Sequence, residues 1–204
     1  MIAIVDYGLG NLGSIQNMLR VIGAKVIVTS DADDICRAEK LILPGVGAFD
    51  AGAERLGAAG LADVVRRQAL DCRKPILGIC LGMQLLGRGS EEGGLPGLGL
   101  IPFECRRFRL GDAGLKVPHM GWDVVTCERP DDPLVKGLSA DQRYYFVHSY
   151  HAVCDSEENV LMTCDYGYGF AAAVVSGSVY GVQFHPEKSH NFGMALLKNF
   201  VERC

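Results

Sequence analysis

The sequence lacks the features that mark several large classes of protein. Its 204 residues include no lysine- or arginine-rich run, and the formal net charge is -4. A nucleic acid or an anionic membrane surface is therefore not an expected partner, because both attract clustered positive charge. No apolar stretch approaches the roughly 20 residues that cross a bilayer. The N-terminus, MIAIVDYGLG, is not a basic and then apolar export signal, so we expect a cytoplasmic protein.

Cysteine is plentiful but lacks the spacing that binds metals. The eight cysteines are scattered, no C-x-x-C pair occurs, and no His/Cys cluster has the spacing of a structural zinc site. A chain without an export signal is expected to keep its thiols reduced. We therefore expect no metal, no cofactor and no disulfide framework. We interpret most of the cysteines as small, buried, apolar side chains.

The first half of the sequence alternates short apolar strands with helical patterns. Strand patterns cover residues 2–5, 26–29, 41–43 and 75–79; one helix passes through Ile15, Leu19 and Ile22, and a second helical region runs from Asp50 to Leu70 with a break near Gly57 to Gly60. This alternation is typical of β-α-β units around a parallel sheet.

The second half of the sequence changes to extended segments. A glycine-rich surface loop covers residues 91–99; extended segments follow at 103–109, 123–126, 144–147 and 160–164, then a hairpin turning at 176–178 and a helix from about Ser189. Such a run of strands favours antiparallel pairing. With 49% hydrophobic residues, the chain can fill one core. We predict a single α/β domain over residues 1–204, with a mainly parallel (mixed) sheet, flanking helices and antiparallel strands added in the second half.

Cys80 stands where an apolar strand meets a helical pattern, in the segment KPILGICLGMQLL, and Gly78 and Gly82 flank it. A sharp strand-to-helix turn of this kind exposes a nucleophile, and glycines keep neighbouring side chains out of its way. The start of a helix also favours a thiolate and can stabilise an oxyanion. On this motif alone, a catalytic cysteine and a buried core cysteine are equally good interpretations.

A candidate base for Cys80 lies about 105 residues later, in YGVQFHPEKSH. Residues two apart in an extended chain point to the same side, so Glu187 can hold one nitrogen of His185 and leave the other facing a nucleophile. Taken alone, the His-Pro-Glu pattern fits a surface turn better. Together with the Cys80 turn, it favours an enzyme that works through a cysteine nucleophile.

The segments GICLGMQLL and GVQFHPEKS together resemble the class I glutamine amidotransferases. The resemblance extends over nearly the whole chain, because the N-terminal strand, the PGVGAF loop and the last helix follow in the expected order. It implies a triad of Cys80, His185 and Glu187. Four further segments, IVDYGLGNLGSIQNML, LPGVGAFDAG, PHMGWD and YYFVHSYH, resemble the glutaminase subunits of imidazole glycerol phosphate synthases, which act in histidine biosynthesis.

The resemblance also implies a substrate and an order of steps. Glutamine would be hydrolysed to glutamate and ammonia through a glutamyl thioester on Cys80. The oxyanion and substrate-binding residues implied by the family are Gly45, Val46, Gly47, Leu81, Gln84, Ser149 and Tyr150.

The implied partner is a (β/α)8-barrel synthase (cyclase) subunit. It would form a heterodimer with this chain and receive the ammonia. Asn11, His119, Met120 and Trp122 would lie at the interface, the last three in a loop. From residue type alone, a core position for Trp122 is slightly favoured. We interpret His119, His148, His151 and His190 as structural or interfacial rather than catalytic.

One position departs from the family pattern. The family usually follows Gly-Trp with asparagine, whereas this chain has Asp123. The polar contact at that position is therefore left open, and the triad is unaffected.

Three alternative functions remain at this point. Gly8, Gly10 and Gly13, with Asp31 further on, imitate a dinucleotide-binding fingerprint, although this leaves Cys80 and His185 unexplained. A silent docking subunit is disfavoured by the intact triad. The partner could instead be a chorismate-using aminase.

Overall fold

Five parallel strands make up the first half of the sheet in a computed structural model, which describes residues 1–111 and 114–204. They are β1 (Ile2–Val5), β2 (Val26–Thr29), β3 (Lys40–Leu43), β4 (Ile76–Ile79) and β11 (Val179–Val182), in the spatial order β2-β1-β3-β4-β11. The central strands β1, β4 and β11 are wholly buried. Such continuous apolar runs are typical of parallel strands covered by helices on both faces.

Helices connect these strands and cover both faces of the sheet. They are α1 (Leu12–Val21), α2 (Ala32–Arg37), α3 (Phe49–Ala58), α4 (Leu61–Leu70), α5 (Leu81–Leu86) and α6 (His190–Arg203). On β1, Ile2 and Ile4 pack into the core that contains α1 and α6, whereas Ala3 and Val5 pack into the core on the opposite face. The predicted break in the second helical region is confirmed, because Gly60 has a φ of 68° and separates α3 from α4.

Antiparallel strands continue the sheet beyond β11. They are β5 (Phe103–Arg107), β6 (His119–Cys127), β7 (Arg143–His148), β8 (Tyr150–Cys154), β9 (Val160–Asp165) and β10 (Gly169–Ser176). The order runs β11-β10-β9-β6-β7, and β8 pairs with both β10 and β5. The predicted mixed α/β fold with added antiparallel strands is therefore confirmed. No helix among the described residues is long and apolar enough to cross a membrane.

Two expectations about local structure are wrong. The segment from His119 to Trp122 is not a loop, because β6 begins at His119 and pairs with β7 from that residue onward. Pro118 and Gly121 disguise the strand in the sequence.

Most of the cysteines are also not buried. Cys80, Cys105 and Cys164 are buried, while the other five are exposed or half-buried. All eight are free thiols.

The pairing of β4 with β11 determines where the polar residues meet. The two strands run parallel, with Gly78 opposite Gly181 and Ile79 opposite Val182. Parallel strands end at the same edge of a sheet, where α/β proteins place their sites. The residues that follow β4 and β11, Cys80 and the segment from Gln183 to Glu187, therefore lie together at this edge.

Candidate active site

Cys80 occupies a strained turn between β4 and α5. Its φ of 54° and ψ of -111° are unusual for a residue with a side chain. The turn is held by two backbone hydrogen bonds, one from Cys80 N–H to the Val182 carbonyl at 2.8 Å and one from Gln84 N–H to the Cys80 carbonyl at 3.1 Å. Gly82 is required because a Cβ there would overlap the Leu43 carbonyl oxygen. The geometry is that of a nucleophile turn.

His185 and Glu187 form a buried pair beside that turn. The His185 Nδ1 atom lies 2.8 Å from Glu187 Oε1, and the two side chains are 2% and 1% exposed. Because a carboxylate accepts hydrogen bonds, Nδ1 carries the proton of the neutral ring and Nε2 presents its lone pair. Nε2 has no hydrogen-bond partner among the described residues. His185 is thus oriented as a base with one nitrogen available.

The pKa of His185 is shifted by two neighbouring groups. Burial lowers this pKa, but the neighbouring Cys80 thiol and the Glu187 carboxylate together outweigh burial and raise it to about 9. The thiol and the carboxylate therefore both act on the imidazole. An imidazole with a raised pKa readily keeps a proton taken from a thiol, which favours the nucleophilic thiolate.

Gln183 is a polar residue of this site that the sequence analysis missed. It is fully buried, and its Nε2 atom lies 3.8 Å from Cys80 Sγ. Its Oε1 atom accepts a hydrogen bond of 3.0 Å from Gln84 Nε2, which also approaches the Tyr150 carbonyl at 3.4 Å. A signal was present, because an amide in the apolar run YGVQF stands two residues before His185 and so points to the same side of the chain.

Of the predicted oxyanion residues, Gly45 packs against the start of α5, where Leu81 lies. A Cβ on Gly45 would lie 2.9 Å from Gly82 N and 3.0 Å from Leu81 Cβ, so this backbone is in close contact with the helix. Val46 is 39% exposed, and Gly47 has a φ of 104°. The first N–H groups of a helix have no partner within it, so the Leu81 N–H is available beside the nucleophile.

Two of the predicted substrate residues, Ser149 and Tyr150, lie at the β7–β8 junction, and Gln84 lies in α5. Ser149 separates the two strands, and its carbonyl accepts from Phe108 N–H at 3.0 Å. Tyr150 begins β8, and its carbonyl receives Gln84. Gln84, Gln183 and Tyr150 thus connect this junction to Cys80 through a chain of side-chain contacts.

The predicted interface residues divide into two groups. Met120 and Trp122 are 61% and 42% exposed on one face of β6, and the Trp122 ring stacks on His190 with a centroid distance of 5.4 Å. Asn11 is half-buried at the start of α1. These three positions are compatible with an interface.

His119 contradicts the interface prediction because it is only 1% exposed. Side chains alternate across a strand, so His119 faces inward where Met120 and Trp122 face outward. Its ring stacks on Tyr166 and Phe146. Asp123, on the same inward face, supplies a carboxylate oxygen 2.7 Å from His119 Nε2, which settles the contact that the departure from asparagine left open.

The other histidines agree with a structural role. His148 is buried and lies 3.0 Å from His119, with its Nδ1 atom 2.8 Å from the Tyr150 carbonyl. His151 is buried against Tyr168, and His190 is exposed beneath Trp122.

The structure does not favour the dinucleotide hypothesis. Gly10 lies against the loop after β3, where a Cβ would meet Pro44 at 3.0 Å and Gly45 N at 3.3 Å. The Asp31 carboxylate caps α2 by accepting from Asp33 and Asp34 N–H. Protein atoms occupy the space beside the glycine turn, and the Asp31 carboxylate is engaged in capping α2. Little therefore remains there to bind a nucleotide. No group of three or more His, Cys, Asp or Glu side chains in the described part of the chain is placed to hold a metal ion.

Comparisons with known proteins agree with the geometry. The family model for glutamine amidotransferase class-I matches residues 3–204. Imidazole glycerol phosphate synthase subunit HisH 2 of Pseudomonas aeruginosa is 52% identical over 202 residues, covering 99% of each chain. The protein of the same name from Methanococcus maripaludis is 49% identical over 204 residues, covering 100% of each.

Solved structures share the fold at lower identity. A protein from Thermoplasma acidophilum described as a putative GMP synthase subunit superposes with a TM-score of 0.73 at 20% identity, covering 98% of this chain and 91% of that one. A structure described as a glutamine amidotransferase gives a TM-score of 0.71 at 20% identity, covering 98% and 97%.

His148 generates a testable pH dependence. Burial lowers its pKa to about 3, whereas in an unfolded chain it is about 6.5. As the pH falls, His148 is therefore protonated in the unfolded chain before it is protonated in the folded one. This lowers the free energy of unfolding by about 2 kcal/mol between about pH 7 and pH 5. We expect His148→Asn, whose amide can still donate to Tyr150, to lose correspondingly less stability over this range. Urea unfolding of both proteins at both pH values measures the difference, and equal losses would refute the assignment.

Proposed function

The chain belongs to the class-I glutamine amidotransferase family, and on that basis we propose that it is the glutaminase subunit of an imidazole glycerol phosphate synthase. The observation that carries the proposal is that Cys80, His185 and Glu187 are buried and lie together at one edge of the sheet. Full-length similarity to HisH proteins selects the synthase over the chorismate-using aminase, which no specific observation favours. In this proposal residues 1–204 form one glutamine amidotransferase type 1 domain that works in the cytoplasm.

The first half-reaction forms a thioester. His185 Nε2 takes the thiol proton as Cys80 Sγ attacks the side-chain amide carbon of glutamine. The carbonyl oxygen of that amide then becomes negatively charged. His185 then passes the proton to the amide nitrogen, the carbon–nitrogen bond breaks and ammonia leaves. Glu187 supports both steps, because a carboxylate on Nδ1 stabilises the transient imidazolium and holds the ring in place.

The second half-reaction releases glutamate. His185 Nε2 accepts a proton from water as the water oxygen attacks the thioester carbon, and the proton returns to sulfur as glutamate departs. In both halves the oxyanion is to be stabilised by the Leu81 N–H and by a peptide of the segment Gly45, Val46 and Gly47. Gln84, Ser149 and Tyr150 are the proposed contacts to glutamine, and Gln183 holds Gln84 in place.

Ammonia released into neutral water becomes largely protonated and loses the lone pair that makes it a nucleophile. Direct delivery to a docked acceptor avoids this loss. We propose that the acceptor is a (β/α)8-barrel synthase subunit that makes imidazole glycerol phosphate and aminoimidazole carboxamide ribotide. The proposed docking surface consists of Met120, Trp122 and Asn11. Exposed aromatic and methionine side chains are enriched at interfaces, which supports this choice.

The nucleophile is tested by Cys80→Ser in the complex with the barrel subunit. We expect glutamine-dependent synthesis to fall by about 1000-fold or more, because a serine hydroxyl ionises far less readily than a thiol and is a much weaker nucleophile. Synthesis from added ammonium should remain, since it needs no glutaminase. Cys72→Ser, at an exposed thiol, is the matched control and should behave as wild type. Substantial glutamine-dependent turnover in the Cys80 variant would refute the mechanism.

The docking surface is tested by Trp122→Ala. Truncating a central aromatic of an interface commonly costs about 2 kcal/mol or more, so we expect the Kd for the barrel subunit to rise about 30-fold, with kcat recovered at saturating partner. Leu70→Ala removes a 63% exposed side chain from α4, on a different element, and serves as the control. Titration of the barrel subunit into each variant gives both values. An unchanged Kd for the Trp122 variant would place the interface elsewhere.

A further inference from the structure

The loop that carries the proposed oxyanion residues is clamped at both ends. At its start, the buried Tyr7 hydroxyl donates a hydrogen bond of 2.6 Å to the Pro44 carbonyl. At its far end, Phe49 N–H donates to Glu92 Oε2 at 2.8 Å, and the Asp50 carboxylate accepts from the backbone of the glycine-rich loop. The loop can therefore rearrange only between these clamps.

The Tyr7 clamp decides which peptide can serve as a donor. The Pro44 carbonyl and the Gly45 N–H belong to one trans peptide and point in opposite directions. While Tyr7 holds the carbonyl, the Gly45 N–H is directed away from the phenol, and a Cβ on Gly10 would lie 3.3 Å from Gly45 N. The clamp therefore fixes the direction of the Gly45 N–H, whereas the Val46 and Gly47 N–H groups lie beyond the clamped peptide.

Those two residues are packed differently from Gly45. A Cβ on Gly45 would overlap the Tyr7 hydroxyl, whereas a Cβ on Gly47 would meet nothing within 4 Å. Val46 is 39% exposed. A tightly held peptide is thus followed directly by a loosely packed one, and the boundary between them is Gly45.

We propose that Tyr7 is a positioning residue that anchors the Pro44–Gly45 peptide, so that Val46 or Gly47 can present its N–H to the oxyanion. This inference rests on the proposed glutaminase function. The phenol stays a neutral donor, because burial first and the Cys80 charge second raise the pKa of Tyr7. In this proposal Tyr7 binds the loop and not glutamine. Removing its hydroxyl should therefore weaken stabilisation of the transition state rather than binding of the substrate.

Tyr7→Phe tests the clamp because it removes the hydroxyl alone. In the complex with the barrel subunit we expect kcat for glutamine hydrolysis to fall about 10-fold, the scale of one lost buried hydrogen bond, with KM within about 2-fold. Alkylation of Cys80 by iodoacetamide should keep its rate, since this displacement forms no oxyanion. Tyr144→Phe removes a comparable buried bond, to Gln142 at 2.7 Å, and should leave kcat unchanged.

The outcomes separate the two proposals. If the wild-type complex hydrolyses no glutamine, the proposed function fails. If it does and Tyr7→Phe has the same kcat, the clamp is refuted. A rise in KM alone would make Tyr7 a substrate contact, and a parallel fall in alkylation would make it act on the thiol. Either result also overturns the proposal.

A second inference comes from counting protons along a chain of three contacts. Asp123 Oδ2 lies 2.7 Å from His119 Nε2, His119 Nδ1 lies 3.0 Å from His148 Nε2, and His148 Nδ1 lies 2.8 Å from the Tyr150 carbonyl. Each hydrogen bond needs one proton. A carbonyl and an ionised carboxylate supply none, and two neutral imidazoles supply one each. Three bonds therefore share two protons.

The position of the missing proton follows from the fixed end of the chain. The Tyr150 carbonyl can only accept, so His148 carries its proton on Nδ1 and accepts at Nε2. His119 must then donate from Nδ1, which leaves its Nε2 lone pair facing the Asp123 carboxylate. We infer that Asp123 and His119 hold one additional proton between them and form their bond only while it is present. An asparagine at this position would supply the hydrogen itself.

The side chains around His119 and Asp123 influence how readily the pair holds the additional proton. The His119 ring stacks on Tyr166 at 4.0 Å and on Phe146 at 4.7 Å, and aromatic faces favour a cation. The other titratable groups nearby are His148, Tyr166 and Cys164. The pKa of His119 lies below its ordinary value, because the effect of burial outweighs the opposite effect of Asp123.

Nitrogen NMR of histidine-labelled protein tests the pair without any activity assay. As the pH is lowered past the ordinary histidine pKa of about 6.5, we expect His119 Nε2 of the wild type to gain a proton. In Asp123→Asn, His119 should stay neutral with its proton on Nδ1, and His148 should stay neutral in both proteins. A wild-type His119 that does not titrate, or an Asp123→Asn variant that titrates equally, would overturn the inference.

Discussion

The parallel pairing of β4 with β11 is the constraint on which the rest of the site depends. It aligns Gly78 with Gly181 and brings the ends of two strands, far apart in sequence, to one edge of the sheet. The Cys80 N–H then donates a hydrogen bond to the Val182 carbonyl, so the Cys80 turn is fastened to the strand that leads to His185. Cys80 and the pair of His185 and Glu187 lie together only because these two strands pair.

Much of this arrangement could be predicted from the sequence. Strands β1 to β4 are short apolar runs between helical patterns, so their number and type follow from the sequence. The parallel pairing of β11 with β4 does not, because the sequence shows β11 only as half of a hairpin. Cys80, His185 and Glu187 could be found because their chemistry depends on local spacing, two glycines around a cysteine and a two-residue step in an extended chain. The structure brings these three residues together.

Other residues could not be placed because their environment is set by distant pairing. His119 and Trp122 are three residues apart, and only the register of β6 with β7 decides that one is buried and the other exposed. Tyr7 looks like an ordinary loop aromatic until β3 brings the Pro44 carbonyl within 2.6 Å. The contact of Asp123 with His119 also depends on that strand, which Pro118 and Gly121 conceal.

The stacking of Trp122 on His190 has a practical consequence. Trp122 is the single tryptophan of the chain, and its neighbour opens α6, directly after Ser189, whose hydroxyl donates to the His185 carbonyl at 2.6 Å. The protein thus carries one tryptophan fluorophore, which is half-exposed on a proposed docking surface and stacks on a residue close in sequence to His185. Its emission offers an optical readout of complex formation that needs no label.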